Sequence, residues 1–107
     1  MTYKRAGVEI VSGTSKKGEV QTDYNQLVDK FGQPQKGVDP HTNAEWWIKF
    51  SDGTVATVYG WTDVKPEVNT DWTIGGSDIK SVYYVKAILT RDGRQFFRAM
   101  WDDLTRK

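Results

Sequence analysis

The chain lacks cysteine and long apolar runs, and it has almost no excess of charge of either sign. Without cysteine there is no disulfide framework, no thiol nucleophile and no thiolate metal site. No apolar segment is long enough to span a bilayer, and the first residues do not have the pattern of a signal peptide. A formal charge of +1 gives no strong nucleic-acid signature. These absences predict a soluble cytoplasmic protein that does not associate with membranes.

Groups suited to catalysis are also scarce. His41 is the only histidine, and it lies in a polar segment that also contains Asp39 and Glu45. One histidine without cysteine supplies too few ligands for a typical zinc site, and no nucleotide-binding loop or nucleophile elbow occurs. We therefore interpret His41 as a solvent-facing loop residue. The expectation is a protein that is not an enzyme and has no catalytic residues, metal or cofactor.

The clearest structural signal is a β-hairpin over residues 44–61, where two runs of aromatic and β-branched residues flank Asp52-Gly53. A two-residue loop would place Phe50 opposite Val55 and Trp46 opposite Tyr59 on the core face, together with Ile48. It would place four other side chains on the opposite face, where Lys49 lies with Ala56 and Trp47 with Val58. One face is then core, and the other is available for contacts.

The remaining pattern predicts an α+β fold in one domain, residues 1–107, with a small antiparallel sheet of three to four strands and two to three helices on one face. Alternation predicts a strand in residues 4–11, then a looser polar segment, residues 12–19. Asp23 caps a helix whose apolar stripe runs from Tyr24 to Phe31. Further elements are a strand over residues 71–74, a helix capped by Ser77 or Asp78, and a terminal helix in residues 95–104. The second helix has one predicted apolar face, composed of Ile79, Val82, Val85, Lys86 and Leu89.

Two features are candidates for binding. The first is the aromatic load near the hairpin, where Trp47, Lys49, Val58 and Trp61 could form a protein contact surface or a platform for a stacked base. The second is Gly75-Gly76-Ser77, whose backbone amides before a helix could receive phosphate. Two glycines also serve simply to turn a strand into a helix, and that alternative stays open.

Several motifs in order resemble a family of small bacteriophage-encoded accessory proteins: GTSKKGEV, YNQLVDKFGQP, EWWIKFSDGTVATVYGW and DWTIGG. The resemblance covers roughly residues 8 to 89. Lys16-Lys17 and Thr73 depart from the pattern, since apolar or amide residues and a histidine are common there. The resemblance implies an accessory protein without an assigned enzymatic activity that acts on host machinery.

Two binding functions follow as hypotheses, and an enzyme or a structural component of the particle stays open as a third. One is a non-enzymatic binder that inhibits a host defence protein or complex through the aromatic sheet face. The alternative is an oligomeric sponge that sequesters a host signalling nucleotide, which requires an aromatic ring and an anion site to converge in one pocket. A homo-oligomer is compatible with both hypotheses.

Overall fold

The computed structural model describes residues 2–7, 13–35 and 40–90. Within these ranges, five strands form one antiparallel sheet and two helices pack on one of its faces. The strands are β1 (Tyr3–Arg5), β2 (Ser15–Gln21), β3 (Thr42–Phe50), β4 (Val55–Trp61) and β5 (Asp71–Gly76). The helices are α1 (Tyr24–Phe31) and α2 (Lys80–Thr90), and a short 3₁₀ helix covers Pro66–Val68. The α+β class is confirmed, although the sheet has one or two strands more than predicted.

The strand order is β1-β3-β4-β5-β2, so the two N-terminal strands form opposite edges around a consecutive meander. The segment 12–19 was predicted to be loose, but most of β2 falls within it. The lysine-rich sequence of β2 does not have the apolar pattern that predicts a strand, because an edge strand places few side chains in the core, here chiefly Val20. The strand predicted over residues 4–11 is described only as β1, and residues 8–11 lie outside the described part.

The helix α1 forms as its sequence predicts. The Asp23 side chain accepts a hydrogen bond from the Gln26 amide at 2.8 Å, and Leu27 and Phe31 are buried. The helix ends at Gly32, whose φ of +86° is in the region that favours glycine. Arg5 on β1 then donates to the carbonyl oxygen of Phe31 at 2.8 Å, which fastens the last turn of the helix to the edge of the sheet.

The β3–β4 hairpin has a three-residue loop, and this overturns the predicted register. The Phe50 amide donates to the Thr54 carbonyl at 2.9 Å, and Gly53 has a φ of +92°. A three-residue hairpin loop is commonly a tight turn followed by a residue with a positive φ, and Gly53 takes that last position. Every cross-strand pair therefore moves by one position, so that Trp46 faces Val58 and Trp47 faces Thr57.

The core lies between the sheet and the helices, and Trp46, Ile48 and Phe50 are buried in it as predicted. The other members assigned to that face, Tyr59 and Val55, lie on the face without helices, because a one-residue slip moves each partner side chain to the other face. We call this second surface, on which neither α1 nor α2 packs, the helix-free face; the name refers only to the described residues.

The helix α2 packs against β5, β4 and β2. Val82, Val85 and Leu89 are buried as predicted, but Ile79, which precedes the helix, and Lys86 are exposed. Tyr84, Ala87 and Ile88 are buried instead, so the apolar face of α2 is centred on different residues from those predicted. The helix predicted in residues 95–104 lies outside the described residues. Among those that are described, no helix has the length and apolar character needed to cross a membrane.

Candidate functional site

The centre of the helix-free face is polar and nevertheless buried. Glu45 faces Tyr59, which faces Thr73, and Trp47 faces Thr57 in the next row. Except for Tyr59, which is half-buried, all of these side chains are buried. The described strands at the middle of the sheet are therefore enclosed on both faces.

Glu45 organises this polar layer. Its Oε1 accepts a hydrogen bond from Trp47 Nε1 at 2.7 Å, and its Oε2 accepts one from the Thr42 hydroxyl at 2.8 Å. Burying a carboxylate is costly unless its oxygens are hydrogen-bonded, so the two donors are a condition of its burial. Glu45 and Trp47 act here as one structural unit.

The placement of Trp47 changes its predicted role. It lies on the helix-free face, as predicted, but it is only 6% exposed and its indole N–H is already engaged. A docking partner could not stack on this ring. Val58, which was assigned to the same face, is fully buried in the core because of the changed register.

Lys49 remains on the surface, in a setting that the sequence did not reveal. It faces Val55 on β4 and Lys4 on β1, so two exposed lysines lie directly opposite each other. In the described part of the chain, neither ammonium group has a carboxylate within ion-pair distance.

Gly75, Gly76 and Ser77 serve the packing of the fold. A Cβ at Gly75 would lie 2.5 Å from the Thr57 hydroxyl, and one at Gly76 would lie 2.6 Å from the Val55 carbonyl oxygen. The Ser77 amide donates to that same carbonyl at 3.1 Å, and both glycines pair with β4 and β2. The tight strand-to-helix passage accounts for the glycines without a phosphate.

Trp61 begins a segment that contains three of the five exposed large apolar side chains among the described residues. We call residues 61–68 the Trp61 segment; within it Trp61 is 44% exposed, Val64 37% and Val68 69%. The ring of Trp61 makes an edge-on contact with Tyr59, with centroids 5.6 Å apart. The sequence predicted a long surface loop here and a binding role for Trp61.

Hydrogen bonds hold the Trp61 segment in place. The Thr62 amide donates to the His41 carbonyl at 2.8 Å, and Asn43 Nδ2 donates to the Val64 carbonyl at 2.9 Å. The segment is thus an ordered surface that presents three large apolar side chains. Asn43 Oδ1 is buried beside it and is the one such side-chain atom without a hydrogen-bond partner in the described ranges.

A polar cluster joins the hairpin loop to α2. The Tyr84 hydroxyl donates to Asp52 Oδ2 at 2.6 Å, and the Thr54 amide donates to Asp52 Oδ1 at 2.9 Å. Lys80 Nζ lies 3.8 Å from Asp52 Oδ2. Burial, followed by the hydrogen bond to Asp52, raises the pKa of Tyr84 to about 12. Burial alone would raise the pKa of Asp52, but these hydrogen bonds and the Lys80 charge lower it. We interpret the cluster as a structural clamp.

The candidate residues do not form one pocket. Ser77 bonds to Val55 at the first residue of β4, whereas Trp61 is the last residue of that strand. Six steps along a strand correspond to about 20 Å, so the exposed aromatic and the glycine turn lie at opposite ends of β4. In the described ranges, no group of three or more histidine, aspartate or glutamate side chains is placed to hold a metal ion.

Comparison with protein families, with curated proteins and with solved structures found no match to this chain.

Proposed function

We propose that this chain is a non-enzymatic binding protein that contacts a protein partner through the Trp61 segment. The observation that carries the proposal is the exposure of Trp61 in a segment fixed by hydrogen bonds. Tryptophan is enriched among the residues that dominate binding energy, and a surface already ordered before binding loses less entropy on association. Val64 lies next to Trp61, since its amide donates to the Trp61 carbonyl at 3.2 Å, and Val68 is a further exposed apolar side chain of the segment.

The surroundings of these side chains have the anatomy of an interface. Asp63, Lys65 and Glu67 are exposed and alternate with the apolar residues along the segment, so charged side chains accompany the apolar ones, as they do in interfaces. Asn43 Oδ1 adds a buried acceptor that a donor entering beside Val64 would satisfy. The resemblance to small bacteriophage accessory proteins makes a host defence protein or complex the partner to test first.

The nucleotide sponge is less well supported. It requires an aromatic ring and an anion site in one pocket, and Trp61 and the glycine turn are about 20 Å apart along β4. Trp47, the other ring considered for stacking, is buried. A screen of cyclic and linear nucleotides against the purified chain tests the sponge alongside the search for a protein partner.

The test compares the wild-type chain with Trp61→Ser and Val68→Asp variants as baits in host lysate, followed by calorimetry with each purified protein captured. Tyr83→Ser on α2 is the matched control, because Tyr83 is 58% exposed and lies away from the segment. We expect Trp61→Ser to weaken binding by about 2 kcal/mol or more, which is roughly 30-fold, and the control to bind normally.

Two results would contradict the proposal. A partner whose affinity is unchanged by both segment variants but reduced by Tyr83→Ser would move the interface to α2. Saturable stabilisation by a cyclic or linear nucleotide, with no protein captured, would favour the sponge. Circular dichroism of each variant establishes that it is folded before its binding is interpreted.

A further inference from the structure

We propose that the β1–β3 edge of the helix-free face is a binding site for the phosphate group of a small molecule. Four polar side chains meet there in two successive cross-strand pairs. The first pair is Thr2 and Ser51, in which the Ser51 amide donates to the Thr2 carbonyl at 2.8 Å. The second pair, two positions along each strand, is Lys4 and Lys49. The four side chains border a cleft of about 320 Å³ together with Tyr3 and Phe50.

The spacing suits a tetrahedral oxyanion. Side chains of facing residues are about 5 Å apart, and successive pairs on one face are about 7 Å apart. Tyr3 and Phe50 turn their rings toward the core, where the two centroids are 5.9 Å apart, so their backbone forms the floor of the cleft. A phosphate placed on this floor would lie within reach of all four polar side chains.

Each side chain has hydrogen-bonding capacity to offer. The Ser51 hydroxyl accepts a bond from the Thr2 amide at 3.1 Å, which positions its oxygen and leaves its proton for a ligand. The two ammonium groups provide charge-assisted donors, which form stronger bonds than neutral ones. The donor set is therefore two ammonium groups and two hydroxyls, with no carboxylate of the described residues paired to either lysine.

The lysine pair is difficult to explain by stability alone. Like charges directly opposite on neighbouring strands are destabilising. A lysine on an edge strand discourages pairing with other chains, and this accounts for Lys4 on β1. It does not account for Lys49, because β3 is the second strand of the sheet and is already paired on both sides. A bound anion would remove the repulsion between them.

The test titrates the full chain with pyrophosphate and with ADP while amide chemical shifts are followed by NMR. We expect saturable shifts centred on Lys4, Lys49 and Ser51 in the millimolar range, and about tenfold weaker binding in Lys4→Gln and in Lys49→Gln. Lys86→Gln, which removes one exposed lysine on α2 at the other face of the sheet, should bind as the wild type does.

A stability measurement distinguishes a site from ordinary surface charge. At low ionic strength Lys49→Gln should melt at a higher temperature than the wild type, because the repulsion is gone. Pyrophosphate should raise the melting temperatures of the wild type and of Lys86→Gln by similar amounts and that of Lys49→Gln by less. Equal stabilisation of wild type, Lys49→Gln and Lys86→Gln, or shifts that do not saturate, would overturn the site. Binding of a single-stranded oligonucleotide but not of pyrophosphate or ADP would overturn the assignment to a small molecule.

Discussion

The pairing of Glu45 with Trp47 leads to a quantitative prediction. Trp47→Phe keeps an aromatic ring on the helix-free face but removes the N–H that donates to the Glu45 carboxylate at 2.7 Å. A hydrogen bond to a charged group contributes about 1.5–3 kcal/mol, whereas a bond between neutral groups contributes about 0.5–1.5 kcal/mol. We therefore expect Trp47→Phe to lower the free energy of unfolding by about 3 kcal/mol, once the smaller ring is included.

A double-mutant cycle isolates the hydrogen bond from the change of ring. Glu45→Gln keeps the shape and an acceptor for Trp47 but removes the charge, so Trp47→Phe should cost about 1–2 kcal/mol less in that background. Urea unfolding followed by far-UV circular dichroism gives the four free energies without depending on the fluorescence of the mutated ring. A coupling energy below about 0.5 kcal/mol would refute the reasoning, because it would mean that the two side chains act independently.

Three further predictions concern stability. Trp46→Ala should lower the free energy of unfolding by about 3–5 kcal/mol in urea titrations, because the ring is fully buried; a loss below about 1 kcal/mol would contradict the packing. Gly76→Ala should cost more than Gly13→Ala in thermal melts, since a Cβ at position 76 meets the Val55 carbonyl oxygen at 2.6 Å, whereas at position 13 the cost is only the backbone strain of a φ of +83°; the reverse order would count against this. The pKa of Tyr84 is raised to about 12, so the stability it contributes is complete below about pH 10 and is lost as the pH rises toward 12. Tyr84→Phe should flatten this alkaline loss in melts recorded from pH 8 to pH 12, and an unchanged slope would contradict the assignment.

The local parts of this fold are readable from the sequence. Asp23 and the stripe from Tyr24 to Phe31 contain everything needed for α1, because caps and helical spacing act within a few residues. The burial of Trp46 follows in the same way from alternation along β3. These elements depend on neighbours in sequence.

What could not be read depends on the exact partner of each strand. A loop of three residues instead of two shifted every pair of the hairpin and took Val58 from the proposed contact face into the core. The lysine pair also depends on register, since Lys4 and Lys49 meet only because β1 docks beside β3. Glu45 was noted only as a carboxylate near His41. Its donors, Trp47 and Thr42, are close in sequence, but its burial depends on its position in the middle of the sheet, which the sequence did not reveal. Trp61, predicted from its residue type, is the aromatic candidate that the geometry leaves exposed.

The order of the strands has a consequence for the synthesis of the chain. Both edge strands are made before the meander, yet Tyr3 pairs with Phe50 and Val20 with Trp72, so β1 has no partner until β3 has left the ribosome and β2 has none until β5 has. The meander β3-β4-β5 is contiguous in sequence and can form on its own through short-range pairings, which close faster than long-range ones. The nascent N-terminal segments must therefore wait as unpaired polypeptide. Their lysines and glycines contribute little to the finished core, and such residues make the unpaired segments less prone to aggregate.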